Sequence, residues 1–304
     1  MSRELKTNAA MRAGARIQHV APFAVMMRTL RWLSLAAAAV TLGAGRAGPA
    51  PSYEVYAIRY GLIRNFPVAA LIAGADTSRR MDIALMVWLL KGPDGRNILV
   101  DAGFQREDLV KRWKPANYVS AAVAVARFGV KPEAITDIIV SHVHWDHLDG
   151  VSLFPNARIW IQREEYEHHV DMDGTVLDQA IDGPDAAMLT TLRRAGHVTL
   201  VDGDAKEIIP GVTVYTGGKH TYQSQFVGVR SAAQTIVIAS DNMYTYENLE
   251  KHVAIAQTVD AASNLRAQDR MSKIASNPRL IVPGHDPAVF DRFPLPGNGV
   301  ARIQ

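Results

Sequence analysis

The chain has 304 residues, 48% of them apolar, with no cysteine and a formal net charge of +3. That apolar content supports one large domain or two small ones, and the lack of cysteine excludes a disulfide framework and a thiolate metal site. The charge is uneven: residues 1–50 hold seven basic side chains against one acid, and removing these from the totals of 33 and 30 leaves 26 basic and 29 acidic residues in 51–304, so the body gives a nucleic-acid partner no electrostatic support.

Arg28 and Arg31 precede an apolar run, Trp32 to Leu42, and small residues follow through Ala47 and Ala50. This is the pattern of a secretory signal peptide: a positive segment, a short apolar segment and a small-residue cleavage site. The run is well short of the roughly 20 residues a helix needs to span a bilayer. Residues 1–50 are therefore expected to be a leader and residues 51–304 the functional domain. The mature protein is expected to be periplasmic or secreted, without stable membrane insertion. Met26 and Met27 offer alternative starts, and a disordered cytoplasmic tail is the competing reading of the leader.

Tyr53 to Tyr60 alternates and predicts a first strand. Residues 61–80 read as an irregular and unusually apolar loop, either packed down or forming a pocket wall, with Phe66 and Leu71 as lining residues. Ile83 to Leu90 predicts a second strand, Gly92 to Gly95 a turn, and Asn97 to Val100 the paired strand, ending in Asp101-Ala102-Gly103. On residue type alone Asp101 is equally a turn residue or a carboxylate with a role behind a site. Residues 105–130 read as helix. Thr136 to Val140 reads as a short buried strand running into Ser141-His142-Val143-His144-Trp145-Asp146-His147, with a helix starting near Asp146.

Three imidazoles and a carboxylate within six residues point to a metal. In extended chain His142 and His144 leave on one face. Asp146 and His147 follow the turn and reach a second point, which suits two adjacent cations better than one. Neutral imidazole and carboxylate oxygen are ligands that zinc accepts. Trp145 is either packing or pocket lining.

Beyond the motif, Ala157 to Gln162 predicts a strand and Glu164 to Val170 a helix carrying His168 and His169, which read as polar surface because adjacent helix residues do not share a face. A helix is expected over Pro184 to Ala195, and strands over Val198 to Val201 and Val212 to Tyr215. His220 follows the latter in the glycine turn Thr216-Gly217-Gly218-Lys219-His220. Gln234 to Ser240 predicts a buried strand ending at Asp241, residues 259–276 a helix, and Leu280 to Val282 the last strand, leading into Pro283-Gly284-His285.

The run His142-x-His144-x-Asp146-His147, followed in order by His220, Asp241 and His285, resembles the metallo-β-lactamase superfamily. The resemblance implies an αβ/βα sandwich of two mixed sheets with helices outside and a two-metal site at one edge. It implies two Zn²⁺, one held by His142, His144 and His220, the other by Asp146, His147 and His285, with Asp241 bridging. It also places Asp101 behind the ligands, accepting the spare N–H of a ligating histidine. Gly218-Lys219 stands where the family often has Pro-Gly, which leaves the local turn and the effect of a lysine beside the metal open. Asn242 to Leu249 is similar to the corresponding run of quorum-quenching N-acyl-homoserine lactonases, where a tyrosine three residues after the bridging aspartate reaches substrate; Tyr244 matches it.

The resemblance thus implies a hydrolase that opens a lactone ring, most closely an N-acyl-homoserine lactone, by attack of a hydroxide shared between two cations. Asp146 would move the proton and Tyr244 would donate a hydrogen bond. The expected partner is a small-molecule lactone or ester, and a homodimer is left open. The alternative keeps the site and changes the substrate to a β-lactam, another lactone, a thioester or an organophosphate ester; a carboxylate at Asp241 speaks against the first.

Overall fold

The computed structural model describes residues 51–295 and 299–304; the expected leader lies outside the described residues. Two sheets form the frame. The first has the strands β1 (Glu54–Pro67), β2 (Arg80–Lys91), β3 (Asn97–Val100), β4 (Asp137–Ile139), β5 (Arg158–Gln162), β6 (Val198–Val201) and β12 (Val300–Ile303), in the order β12-β1-β2-β3-β4-β5-β6. The second has β7 (Lys206–Ile209), β8 (Val212–Thr216), β9 (Gln225–Ser231), β10 (Gln234–Ser240) and β11 (Ile281–Pro283), in the order β11-β10-β9-β8-β7.

Both sheets are mixed. β3 to β6 run parallel, as do β10 and β11, while the remaining pairs are antiparallel. The inner layer between the sheets holds Ala84, Met86, Trp88 and Leu90 of β2 against Val212 and Val214 of β8, Val227 and Val229 of β9, and Ile236 and Ile238 of β10. The alternate residues of β2, Ile83, Leu85, Val87 and Leu89, face the outer layer, where they meet α2 (Ala121–Arg127). On the far side Phe226, Val237, Ala239 and Ile281 pack against the helix Ala261–Ile274 through Ala267 and Met271. Strands covered on both faces become continuous apolar runs, which is why β2 reads as unbroken hydrophobic sequence. The architecture is the expected α/β sandwich.

Three elements depart from the sequence expectation. β1 does not stop at Tyr60: it stays paired with β2 as far as Pro67, through register shifts between Arg59 and Gly61 and between Ile63 and Phe66. A bulge inserts an extra residue and spoils the period of two, so the second half of the strand carries no strand pattern in the sequence. Residues 105–130 form two short helices, α1 (Glu107–Trp113) and α2, instead of one. Lys114 takes the left-handed conformation at φ 46°, Pro115 follows, and Ala116 then pairs with Leu62 alongside β1. Finally, β11 is not the last strand, because β12 returns to pair antiparallel with β1. Its four residues, Val-Ala-Arg-Ile, follow a turn and carry too short a pattern to read alone.

Candidate metal centre

Strand ends supply the site. Asp101 follows β3, the histidine motif follows β4, His220 lies between β8 and β9, Asp241 follows β10 and His285 follows β11. α3 (Trp145–Leu148) begins inside the motif, so His142 and His144 precede it in extended chain while Asp146 and His147 lie within its single turn.

The structure brings all seven residues together in two groups, His142, His144, His220 and Asp241 in one and Asp146, His147 and His285 in the other. His144 Nδ1 lies 3.0 Å from His142 Nε2 and 2.9 Å from His220 Nε2. His285 Nε2 and His147 Nε2 each lie 3.6 Å from Asp146 Oδ2. Asp241 stands between the groups: Oδ2 is 3.5 Å from His220 Nε2, 3.9 Å from His142 Nε2 and 3.3 Å from His147 Nε2, and Oδ1 is 3.1 Å from His285 Nε2.

These residues fit a divalent metal site. His220 Nδ1 donates to the Gln257 carbonyl at 2.8 Å, and His285 Nδ1 donates to the Ala84 carbonyl at 2.9 Å. With the proton held on Nδ1, the Nε2 lone pairs point at the centre. His147 Nε2 and Asp241 Oδ1 are buried without a hydrogen-bond partner, an arrangement that a cation resolves. Nitrogens about 3 Å apart also approach the spacing of about 3.3 Å set by tetrahedral zinc with 2.0–2.1 Å bonds.

The electrostatics divide the same way. Burial pushes the imidazoles of His142 and His144 down and that of His220 down to about 3, so all three are neutral donors at neutral pH. Burial also opposes charge on His147 and His285, but the Asp241 and Asp146 carboxylates overcome it and raise both. A cation between those groups takes the place of the protons, so acid competes with metal.

Asp101 is fully buried behind the motif, with its backbone at φ 61°. Its Oδ1 accepts the Ser141 amide at 2.7 Å, and its Oδ2 accepts His147 Nδ1 at 2.8 Å together with the hydroxyls of Ser141 and Ser240 at 2.9 and 2.8 Å. The glycine turn before His220 is set by close approach. A Cβ on Gly218 would meet Asn264 Cα at 2.6 Å, and one on Gly217 would meet Asn242 Oδ1 at 2.1 Å. Lys219 adopts φ 57°, and its ammonium turns to the Tyr222 carbonyl at 2.9 Å and over the Tyr222 ring.

A cavity of about 160 Å³ opens over the two groups, with His144, Asp146, Asp241 and His285 on its floor. Tyr244, Phe66, Leu71 and Trp145 line it. The Tyr244 hydroxyl lies 3.4 Å from His220 Nδ1, and burial followed by the nearby Asp241 and Asp146 charges raises its pKa, so it remains a donor. Trp145 both lines the cavity and packs, stacking on Trp113 at 5.1 Å.

Ile63 lies in the segment read as a pocket wall; sequence reasoning missed Trp113, Ile83 and Gln257 in this wall, and Glu165, Ser141, Ser240 and Asn242 beneath the site. The last three adjoin motif residues and were within reach; Trp113 and Gln257 carry no local signal. One expectation is corrected. His168 is exposed, but His169 is buried at the end of α4 (Arg163–His169), with Nε2 3.7 Å from Glu165 and Nδ1 3.2 Å from Asp178. It lies four residues after Glu165 on the inward face of the helix, so the two share that face while His168 points outward.

The two mixed sheets and these paired histidine–aspartate groups define an α/β scaffold with a candidate divalent-metal site. The family model "Metallo-beta-lactamase superfamily" matches residues 85–285, and the chain belongs to this superfamily. Among curated relatives, an N-acyl homoserine lactonase of Bacillus cereus is 30% identical over 162 residues, covering 53% of this chain and 59% of that protein. One from Agrobacterium fabrum is 24% identical over 176 residues, covering 56% and 65%. The chain thus matches less than two thirds of the length of these relatives. Two solved structures share the fold. An N-acyl homoserine lactone hydrolase with N-hexanoyl-L-homoserine at its catalytic metal centre has TM-score 0.64 and 22% identity, covering 78% of this chain and 94% of that one. A dizinc quorum-quenching lactonase has TM-score 0.59 and 16% identity, covering 84% and 95%.

Proposed function

We propose that the protein is a dizinc lactonase that hydrolyses N-acyl-homoserine lactones. The observation that carries this reading is the Asp241 carboxylate. Its two oxygens reach nitrogens of both histidine groups, at 3.1–3.5 Å for His285, His147 and His220. A shared carboxylate of this kind suits two adjacent cations, and Tyr244, three residues on, lines the same apolar-walled cavity. The named activity of the relatives supports the choice of substrate.

His142, His144 and His220 would hold one zinc and Asp146, His147 and His285 the other, with Asp241 common to both. When bound, the pair supplies Lewis-acid polarisation of the carbonyl and a water acidic enough to serve as nucleophile at neutral pH. The chain's residues do the rest. Phe66, Leu71 and Trp145 present apolar surface to the acyl chain and exclude water from the ring. Tyr244 donates its hydroxyl hydrogen to the lactone and so orients the carbonyl. As the ring C–O bond breaks, Asp146, 13% exposed at the cavity floor, returns the nucleophile's proton to the leaving alkoxide.

The test is acid release from a long-chain N-acyl-homoserine lactone by the zinc-loaded protein, with nitrocefin as competitor. Turnover of the lactone that vanishes in Asp241→Ala supports the reading. Nitrocefin turnover with an inert lactone refutes it. The proposal extends to export, resting on Arg28, Arg31 and the apolar run after them; recovery of the full-length precursor in the cytoplasmic fraction alone would refute that part.

A further inference from the structure

Glu165 is a carboxylate with no accessible surface, at the start of α4, touching none of the seven ligand side chains. Burying a carboxylate is costly unless donors meet it. Here they do: Oε1 accepts the Val143 amide at 3.2 Å and the Thr221 hydroxyl at 2.6 Å, and Oε2 accepts the Gln223 amide at 2.6 Å. Val143 lies between His142 and His144. Thr221 and Gln223 follow His220. One buried anion therefore ties together the two chain segments, distant in sequence, that carry the three imidazoles of a single group.

A second clasp joins the same segments from the other side, where Gln225 donates its amide to the Ser141 carbonyl at 2.8 Å and its side chain to Val140 at 2.7 Å. That clasp fixes the strand end but reaches neither Val143 nor Thr221. Nothing comparable from Glu165 touches Asp146, His147 or His285. We infer that Glu165 is a positioning residue that sets the geometry, and hence the metal affinity, of the three-histidine half-site selectively. The inference rests on the dimetal reading above and deepens it.

The test compares zinc-loaded wild type, Glu165→Gln and Glu165→Asp under a graded chelator, reading zinc per chain, with the visible spectrum of Co²⁺-loaded protein as a second readout. Glutamine places an amide against one of the donors. Expected is loss of one zinc equivalent at about 10–100-fold lower chelator strength, with the second equivalent unmoved, in line with the usual effect of removing a group behind metal ligands. The Co²⁺ spectrum should lose the intensity of one site, and Glu165→Asp should recover part of it. Both equivalents held as in wild type, or both weakened alike, would overturn the inference. If Glu165→Gln fails to fold, Thr221→Val removes a single donor and is expected to weaken the same equivalent by about 2–10-fold; unchanged retention would again overturn it. Wild-type protein that takes up no zinc would overturn the metal reading and this inference with it, whereas two tightly held equivalents in wild type and variants alike would remove this inference only.

Discussion

Replacing Asp101 with asparagine keeps the side-chain shape and removes one acceptor. In the native site Oδ1 faces the Ser141 amide, and Oδ2 faces His147 Nδ1 and two hydroxyls. If the new NH₂ stands at Oδ1, two donors meet, and a buried amide is left unsatisfied at a cost of about 1–3 kcal/mol. If it stands at Oδ2, it donates to His147 Nδ1. The ring proton then moves to Nε2, the nitrogen that faces Asp146 and Asp241, and that nitrogen can no longer ligate. The site therefore loses in either orientation. The expected result is a 10–100-fold loss of affinity for one zinc, about 1.4–2.7 kcal/mol. The loss should fall on the equivalent held by His147, the opposite one from Glu165→Gln. Chelator titration of zinc content, alongside thermal melts of the metal-free protein, separates the two causes. An Asp101→Asn protein that retains both zincs with unchanged affinity and an unchanged melting temperature would refute the tautomer argument.

Tyr244→Phe keeps the ring packed and should leave zinc content intact while lowering lactone kcat/KM by about 100–1,000-fold, the range for loss of one positioned hydrogen-bond donor; steady-state kinetics with metal analysis checks it. Gly218→Ala forces a Cβ to within 2.6 Å of Asn264 Cα; overpacking of this kind is expected to destabilise by about 1–3 kcal/mol and to weaken zinc binding through His220, read by urea melts and chelator titration. Burial, then the charges of Asp149 and Asp182, push the Asp185 carboxyl up to about 8 against the pull of Arg106. The folded state therefore keeps a proton that the unfolded chain releases near pH 4. The associated stability is full below that pH and is lost as pH rises through about 8. Melting curves should show wild type falling over this window and Asp185→Asn remaining flatter.

The cluster from His142 to His147 was legible from residue type, whereas His220, Asp241 and His285 joined it through the resemblance to the superfamily. Imidazoles and carboxylates at strand ends leave a dense, ordered signature, and β-branched runs such as Gln234 to Ser240 reproduce their strand to the residue. The long first strand, the split of residues 105–130 and the closing strand β12 were not legible in this way, because a bulge, a left-handed lysine before proline and a four-residue strand each break or shorten the period that carries the signal. What tertiary structure alone decided is how these side chains are held. Glu165 reaches Thr221 and Gln223, His220 finds the Gln257 carbonyl, His285 finds the Ala84 carbonyl, and Trp113 comes to the cavity wall beside Trp145. These contacts join segments tens to hundreds of residues apart. Residue type can announce that a chain binds a cation, but the partner that fixes each ring is chosen by which backbone the folded sheets bring within hydrogen-bonding reach.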